Sequence, residues 1–271
     1  MSLISWGIIG PGNIANNFAD GLKESFSGQL TAIASKNNER RESFGDKYNI
    51  DAALRFSSYD DLLNSENIDA VYISTPHTLH AEWTIKAAGK GKHVLCEKPG
   101  AVNFREGQQV IEAVRQAGVF YMEGFMYRCH PQIPALANFI KEKKIGEVKN
   151  IKSSYGYDMG KTVPESRLFR TDLAGGAILD VGVYPISFSR MVAGAALGKK
   201  FINPKSITGT ATIGETGVDE ISHATLEFEN GIIAEASTAI RKEMKNKRII
   251  VIIPSFAERY LSTELFNSSI N

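Results

Sequence analysis

Ser5-Trp6-Gly7-Ile8-Ile9-Gly10-Pro11-Gly12-Asn13-Ile14-Ala15 is the stretch on which the fold turns. Ser5 to Ile9 reads as a strand, and a helical pattern follows to about Leu22. Between them stands G-x-G-x-x-A, in the strand-then-helix setting that gives this motif its meaning. Gly10 permits the tight turn, Gly12 lets the backbone approach a pyrophosphate, and Ala15 is small enough for close helix–strand packing. The free N–H groups at Asn13 and Ile14, on the positive end of the new helix, then face the phosphates. A lone glycine motif is weak evidence; in this position it points to a dinucleotide.

The second strand, Leu30 to Ala34, ends at Ser35-Lys36-Asn37, with Arg40 and Arg41 just beyond. An NAD site would place Asp or Glu here to bind the ribose 2′-hydroxyl. No acid stands at that strand end. Ser35 and Lys36 are suited to hydrogen-bonding and neutralising a 2′-phosphate, and Arg40 to covering the adenine side, so NADP is favoured over NAD. Arg40 and Arg41 also read simply as the start of a solvated helix. A short helix begins at Asp60-Asp61-Leu62-Leu63, and Ala70 to Ser74 forms the next buried strand. It runs into Thr75-Pro76-His77-Thr78-Leu79-His80, where Thr75 as N-cap and Pro76 at the first helical position make a good helix start. This turn falls on the same sheet edge as Gly10 and Ser35, so Thr75, Pro76, His77 and His80 are candidates for cofactor contact. The two histidines lack a third ligand nearby in sequence, which argues against a metal.

After a helix over Ala81 to Ala88 comes His93-Val94-Leu95-Cys96-Glu97-Lys98-Pro99. His93 to Cys96 is a short buried strand. Pro99 lacks a backbone donor and biases Lys98 away from helical geometry, so the chain turns there. Glu97 and Lys98 are thereby left at the carboxyl end of a strand, where ligands collect in an open α/β sheet. A helix over Phe104 to Gln116 and a strand over Val119 to Met122 complete an alternating pattern, and after Glu123 the pattern changes. The expectation is an α/β protein of two domains. Residues 1–123 would form a doubly wound parallel Rossmann sheet, and 124–271 an α+β domain for substrate binding and dimerisation.

The near-neutral balance, formal net charge +1 over 271 residues, gives no electrostatic footprint for nucleic acid or an anionic membrane. The basic clusters Lys141–Lys144 and Arg241–Arg248 are short and contain acids. No apolar run reaches the roughly 20 residues of a membrane span, and the N-terminus enters a strand without a basic leader or apolar signal core. Cys96 and Cys129 lack metal-ligand spacing and read as reduced thiols of a cytoplasmic protein.

G-P-G-N-I-A, S-K-N, T-P-H-T-L-H, L-C-E-K-P and M-E-G-F-M-Y-R, followed by G-G-A-I-L-D-V-G-V-Y-P, together resemble the Gfo/Idh/MocA oxidoreductases over about Trp6 to Arg241. The resemblance is strongest to the branch of glucose–fructose oxidoreductase and dimeric dihydrodiol dehydrogenase, which carries tyrosine in G-V-Y where inositol dehydrogenases carry histidine. It implies an N-terminal Rossmann domain, a C-terminal domain with an open, mostly antiparallel sheet, a tightly held nicotinamide cofactor, and a sugar, polyol or diol-like substrate. It also implies that Lys98 is the catalytic lysine of E-K-P, and that Asp180 and Tyr184 form the substrate-side pair.

Spacing in the second half agrees with those roles. Gly175-Gly176 precede a helical segment from Ala177 to about Val192, where Asp180 and Tyr184 are i and i+4 and so share a face. Ile178, Leu179, Val183 and Ile186 are expected to face the core. A capping Asp beside a half-buried Tyr is the plainer reading of the same pair. A free tyrosine, with a pKa near ~10, is a poor base at neutral pH, and a lysine ammonium within reach favours its phenolate. Tyr184 is therefore expected to be the acid/base, with Lys98 tuning it and binding the substrate oxygen. Asp180 would orient the substrate or Lys98, and Glu97 would hold Lys98. Tyr157 and Lys161 match the Tyr/Lys spacing of short-chain dehydrogenases, but the setting suggests a strand end, and the match is read as chance.

Ile151–Tyr157, Ser206–Ile213, Ser222–Phe228 and Ile232–Ala239 alternate like strands, with Glu229-Asn230-Gly231 a hairpin turn. A broad antiparallel sheet with one free face is expected to find a partner, hence a homodimer. Gly217-Val218-Asp219-Glu220 and Arg170 are within plausible reach of substrate. Beyond Lys247 a strand-like Arg248–Pro254 and a brief amphipathic piece follow, where members of the family continue with further strands and a closing helix; a naturally short and a truncated second domain both fit. The leading functional reading is an NADP-dependent dehydrogenase or reductase. A non-catalytic dinucleotide-binding sensor and a lyase or hydrolase with transient use of NAD are the alternatives.

Overall fold

The computed structural model describes residues 3–240, and the chain divides into two compact units between Gly124 and Phe125. The strand expected at Arg248–Pro254, the amphipathic piece after it and the cluster Arg241–Arg248 lie outside the described residues.

In the first unit, β1 (Ile4–Ile9), β2 (Gly28–Ala34), β3 (Arg55–Phe56), β4 (Ala70–Ile73), β5 (His93–Cys96) and β6 (Tyr121–Glu123) form one sheet in the order β3-β2-β1-β4-β5-β6. Every pairing in it is parallel. The aliphatic runs explain the arrangement. Ile8, Ile9, Ile33, Val71 and Ile73 are fully buried, as central parallel strands covered on both faces require. Burying each such side chain contributes about 1.5–3 kcal/mol. Helices α1 (Asn13–Lys23), α2 (Asn38–Lys47), α3 (Tyr59–Asn64), α4 (His80–Gly89) and α5 (Phe104–Ala117) connect the strands. Their ends are written in local chemistry. Asn37 caps α2 by accepting from Arg40 N at 2.9 Å, Ser58 caps α3, and Asn103 caps α5. Gly118, in left-handed conformation, stops α5. The last strand starts two residues later than expected, at Tyr121, although Phe120 O already accepts from Val94 N. Because all six strands run the same way, Gly10, Ser35, Thr75 and Glu97 emerge at one edge of the sheet.

The second unit is built on β7 (Asn150–Gly156), β8 (Ser206–Ile213), β9 (Asp219–Glu227) and β10 (Ile233–Ala239), ordered β7-β10-β9-β8. Pairings β10–β9 and β9–β8 are antiparallel, and β10–β7 is parallel. Two helices, α6 (Gln132–Lys141) and α7 (Val183–Ala195), supply Ile140, Met191, Val192 and Ala195 to a core shared with Ile151, Leu226, Phe228, Ala234 and Ala236 of the sheet. Alternation in β10 places Ala234 and Ala236 inward and Ile233 and Glu235 outward. The turn at Phe228–Gly231 closes β9 onto β10 through Gly231 N to Phe228 O, 3.0 Å. Strand β8 is exposed along its whole length.

Candidate active site

The glycine loop is shaped by backbone requirements. Gly10 has φ +90°, and an added Cβ there would lie 3.2 Å from Ser74 O, so only glycine sits without strain. Ser74 Oγ donates to Gly10 O at 2.7 Å and ties this loop to the end of β4. At Gly12 an added Cβ would meet nothing within 4 Å: the protein leaves open space where the motif expects a pyrophosphate. Gly12 is the N-cap of α1 and supplies no side-chain cap, and no acid stands in the first turn. The first N–H groups, at Asn13 and Ile14, are thus left to a ligand. Both residues are exposed.

Beside this loop, Thr75 corrects the reading of it as a helix cap. The turn His77–Leu79 is 3₁₀, its N-cap is Pro76, and no side chain caps it. Thr75 Oγ1 is instead buried without a hydrogen-bond partner among the described residues. A buried hydroxyl left unsatisfied costs about 1–3 kcal/mol, and a dinucleotide at the carboxyl edge of the sheet would supply what it lacks. The open cradle, the uncapped helix and the orphaned hydroxyl all fit a dinucleotide.

At the end of β2, Ser35 is buried, and its Oγ accepts from Asn37 N at 3.2 Å. Lys36 and Arg40 are exposed. Arg41 folds back, donating to Ser35 O at 3.1 Å and to Glu42. The cations facing solvent at this strand end are therefore Lys36 and Arg40.

The E-K-P turn is fastened on both sides of Lys98, at Glu97 and at Gly100. Glu97 N donates to Ile73 O, and Tyr72 OH donates to Glu97 Oε1 at 2.6 Å. Gly100 N donates to Glu123 Oε1 at 2.8 Å. A Cβ on Gly100 would lie 2.3 Å from the Tyr121 hydroxyl, so the turn tolerates no side chain there. Burial pushes the Tyr121 phenol up and the Cys96 thiol up to about 12, so neither ionises near neutrality. His77 and His80 are buried. His80 corrects its assignment to the cofactor: one ring nitrogen lies 2.7 Å from Pro99 O and the other 2.8 Å from Thr75 O, so both are spent on the protein's own backbone.

In the second unit the expected regular helix over Ala177–Val192 opens with a π-helical turn, Ile178–Gly182, before α7 continues it. Turns of this kind often mark functional sites. The faces depart from the sequence expectation at two positions: Ile178, expected inward, is exposed and Asp180 is 4% exposed, while Ile186 packs on the core as expected. Asp219 explains part of this, because its carboxylate accepts from Ile178 N at 2.7 Å and holds the start of the turn at the surface. Asp180 accepts from Tyr157 OH at 2.5 Å on one oxygen and from Arg167 at 2.9 Å on the other. Burial, followed by the hydrogen bond to Asp180, raises the Tyr157 pKa, so this phenol keeps its proton and donates it. Tyr184 lies in a ring cluster with Phe125, Tyr127 and Tyr155 at centroid distances of 5.8, 6.1 and 5.1 Å, and with Tyr157 it packs against the apolar core of Leu168, Phe169 and Val181. Tyr127 OH is bonded to Ser187 Oγ on α7 at 2.9 Å.

Several other residues take different places from those expected. Val218 and Glu220 are buried, and Asp219 is engaged by Ile178 N and Ser222 Oγ. Arg170 pairs with Asp172 at the surface. The arginine on Asp180 is Arg167, which sequence reading missed, as it missed Phe125, Tyr127 and Tyr155. Tyr157, set aside as chance spacing, binds Asp180, while Lys161 is exposed. Only the M-E-G-F-M-Y-R motif hinted at any of these. Among the described residues, no group of three or more His, Cys, Asp or Glu is placed to hold a metal.

A six-stranded parallel sheet in this order, with a glycine loop at its carboxyl edge, defines a dinucleotide-binding Rossmann domain. The chain belongs to the Gfo/Idh/MocA oxidoreductase family: residues 4–125 match the oxidoreductase family, NAD-binding Rossmann fold, and residues 133–253 match the GFO/IDH/MocA C-terminal domain. It is 34% identical over 259 residues to trans-1,2-dihydrobenzene-1,2-diol dehydrogenase of Xenopus laevis, covering 93% of this chain and 75% of that protein. It is 32% identical to D-xylose 1-dehydrogenase (NADP(+)) 2 of Haloferax volcanii, over 86% of this chain and 69% of the relative. Among solved structures, a 3-ketoreductase from Actinomadura kijaniata in complex with NADP and TDP-benzene superposes with TM-score 0.75 at 29% identity, covering 88% of this chain and 70% of that one. The protein is thus an oxidoreductase with a nicotinamide cofactor, acting on CH–OH groups.

Proposed function

We propose that this enzyme uses NADP to interconvert a secondary alcohol and a carbonyl on a sugar, polyol or dihydrodiol. The observation that carries the reading is the end of β2, where Lys36 and Arg40 face solvent and no acid stands at the strand end. An NAD-binding acid is missing and two cations stand where a 2′-phosphate would need them. The names of the relatives, a diol dehydrogenase and an NADP-linked xylose dehydrogenase, agree with cofactor and substrate class. When bound, the nicotinamide supplies the hydride acceptor or donor.

The remaining work falls to the protein. Gly10, Gly12, Asn13 and Ile14 are assigned to the pyrophosphate; Ser35, Lys36 and Arg40 to the adenosine end; Thr75, Pro76, His77 and Glu97 to the rest of the dinucleotide edge. Lys98 binds the reacting oxygen, and Tyr184 takes its proton in oxidation and returns it in reduction. Asp180 has both oxygens engaged, so its role is to position Arg167 and Tyr157, whose guanidinium and phenol are the groups it presents. Residues 1–123 thereby serve the dinucleotide, and the remainder serves substrate. The exposed β8, with Ile207 and Ile213 outward, supports a homodimer built through this sheet. Two free cysteines, Cys96 and Cys129, agree with a cytoplasmic setting.

Titration with NADPH and NADH, followed by nicotinamide fluorescence, and then a challenge with aldoses, polyols and dihydrodiols tests the proposal. Tighter NADPH binding with substrate-dependent redox change is expected. Preference for NADH, or turnover of none of the three substrate classes, would overturn it.

A further inference from the structure

We propose that His80 is a permanently charged imidazolium that positions the Lys98 turn. Its two ring nitrogens face two backbone carbonyls, Pro99 O at 2.7 Å from Nδ1 and Thr75 O at 2.8 Å from Nε2. A carbonyl oxygen only accepts, so each ring nitrogen must donate. A neutral imidazole carries one N–H. In either neutral tautomer one nitrogen lone pair would point at an oxygen lone pair at hydrogen-bonding distance. The ring is 1% exposed, so no water is at hand to relieve that contact. Only the doubly protonated ring satisfies both oxygens.

The surroundings act on the ring's charge in both directions. From its own turn it faces His77, with ring centroids 5.8 Å apart. The segment it grips carries Glu97 and Lys98, with Glu97 held by Tyr72. From β6 comes Glu123, bonded to Gly100 N, the residue after the gripped carbonyl. Two carboxylates thus border the turn that carries Lys98, engaged by Tyr72 OH and Gly100 N. Burial and the Lys98 ammonium on the same turn favour the neutral ring; the two charge-assisted hydrogen bonds oppose them.

The consequence is mechanical. Thr75 follows β4 and Pro99 follows β5, so the imidazolium locks the segments after two strands together on the cofactor edge and fixes the backbone that carries Lys98. His80 touches neither substrate nor cofactor in this account; it is a positioning residue. The protonation state stands on geometry alone, while its kinetic effect rests on the assignment of Lys98.

Two measurements separate these parts. Long-range proton–nitrogen correlation spectra of nitrogen-labelled wild-type protein, with His80 assigned through His80→Gln, should show both ring nitrogens protonated at pH 7. That signature should persist as the pH is raised past the usual histidine range, about 6.5. One protonated and one bare nitrogen at pH 7 would overturn the proposal. His80→Gln should also lower kcat on the order of 10-fold or more, with dinucleotide affinity unchanged. An unchanged kcat in the folded variant would overturn the positioning role. If the variant does not fold, the wild-type spectrum, assigned by elimination of the other four histidines, still decides the charge. Full turnover by Lys98→Ala would sink the Lys98 assignment and leave the spectrum standing.

Discussion

The glycine loop and the π-helical turn, the regions assigned to dinucleotide and to substrate, are made of different material. At Gly10–Ala15 the protein contributes backbone: a positive φ, an uncapped helix end and an open space beside Gly12. At Ile178–Gly182 it contributes side chains brought from far along the chain, with Asp180 gripped by Tyr157 and Arg167, 23 and 13 residues away. A site made of backbone can be damaged without destabilising the fold. A site made of a buried carboxylate and its partners cannot.

Substitutions sharpen that contrast. Tyr184→Phe keeps the ring contacts to Phe125, Tyr127 and Tyr155 and removes only the hydroxyl. It is expected to lower kcat by about 10²–10⁴, measured by steady-state kinetics. Asp180→Asn leaves Arg167 facing an amide. Breaking a fully buried pair costs about 3–5 kcal/mol, and because the Arg167 side chain is 49% exposed, a loss of about 2–3 kcal/mol is expected in urea unfolding. Gly12→Val should do the reverse. The new side chain meets no protein atom and φ is −91°, so stability should hold. Dinucleotide affinity should fall roughly 10–100-fold, since forcing bulk into a tight contact costs about 1–3 kcal/mol. A Gly12→Val protein that unfolds early yet binds dinucleotide normally would erase the distinction. The smallest effect is expected from Lys36→Asp, which should shift the NADPH/NADH affinity ratio by about tenfold toward NADH.

What could be read from sequence follows the same division. Gly10, Gly12 and Ala15 act through local geometry, so eleven consecutive residues sufficed to mark the ligand edge, and the strand–helix alternation that follows gave the parallel sheet. Strand β2 ends at Ala34 as its composition implies, and the absence of an acid beyond it is visible without coordinates. Asp180 could be singled out from the sequence, but its surroundings could not. A regular α-helix spaces i and i+4 on one face, and nothing local announces the wider turn that sends Asp180 inward while leaving Ile178 exposed. Tyr157 was legible only as a strand end. Its hydrogen bond depends on the position of β7 beside β10 and on the π-helical turn, a long-range fact. Thr75 failed for a related reason: the capping rule is local and correct in general, yet here the turn is 3₁₀ and the hydroxyl has no partner among the described residues.

The most direct test of the central claim follows deuterium. A sugar, polyol or dihydrodiol deuterated at its carbinol carbon is incubated with the enzyme and oxidised NADP, and the recovered dinucleotide is examined by mass spectrometry. Direct hydride transfer with Tyr184 handling only the hydroxyl proton requires the deuterium to appear on the reduced nicotinamide, one per turnover. Loss of the deuterium to solvent, or its retention on the substrate with no reduced dinucleotide formed across all three substrate classes, would contradict the account.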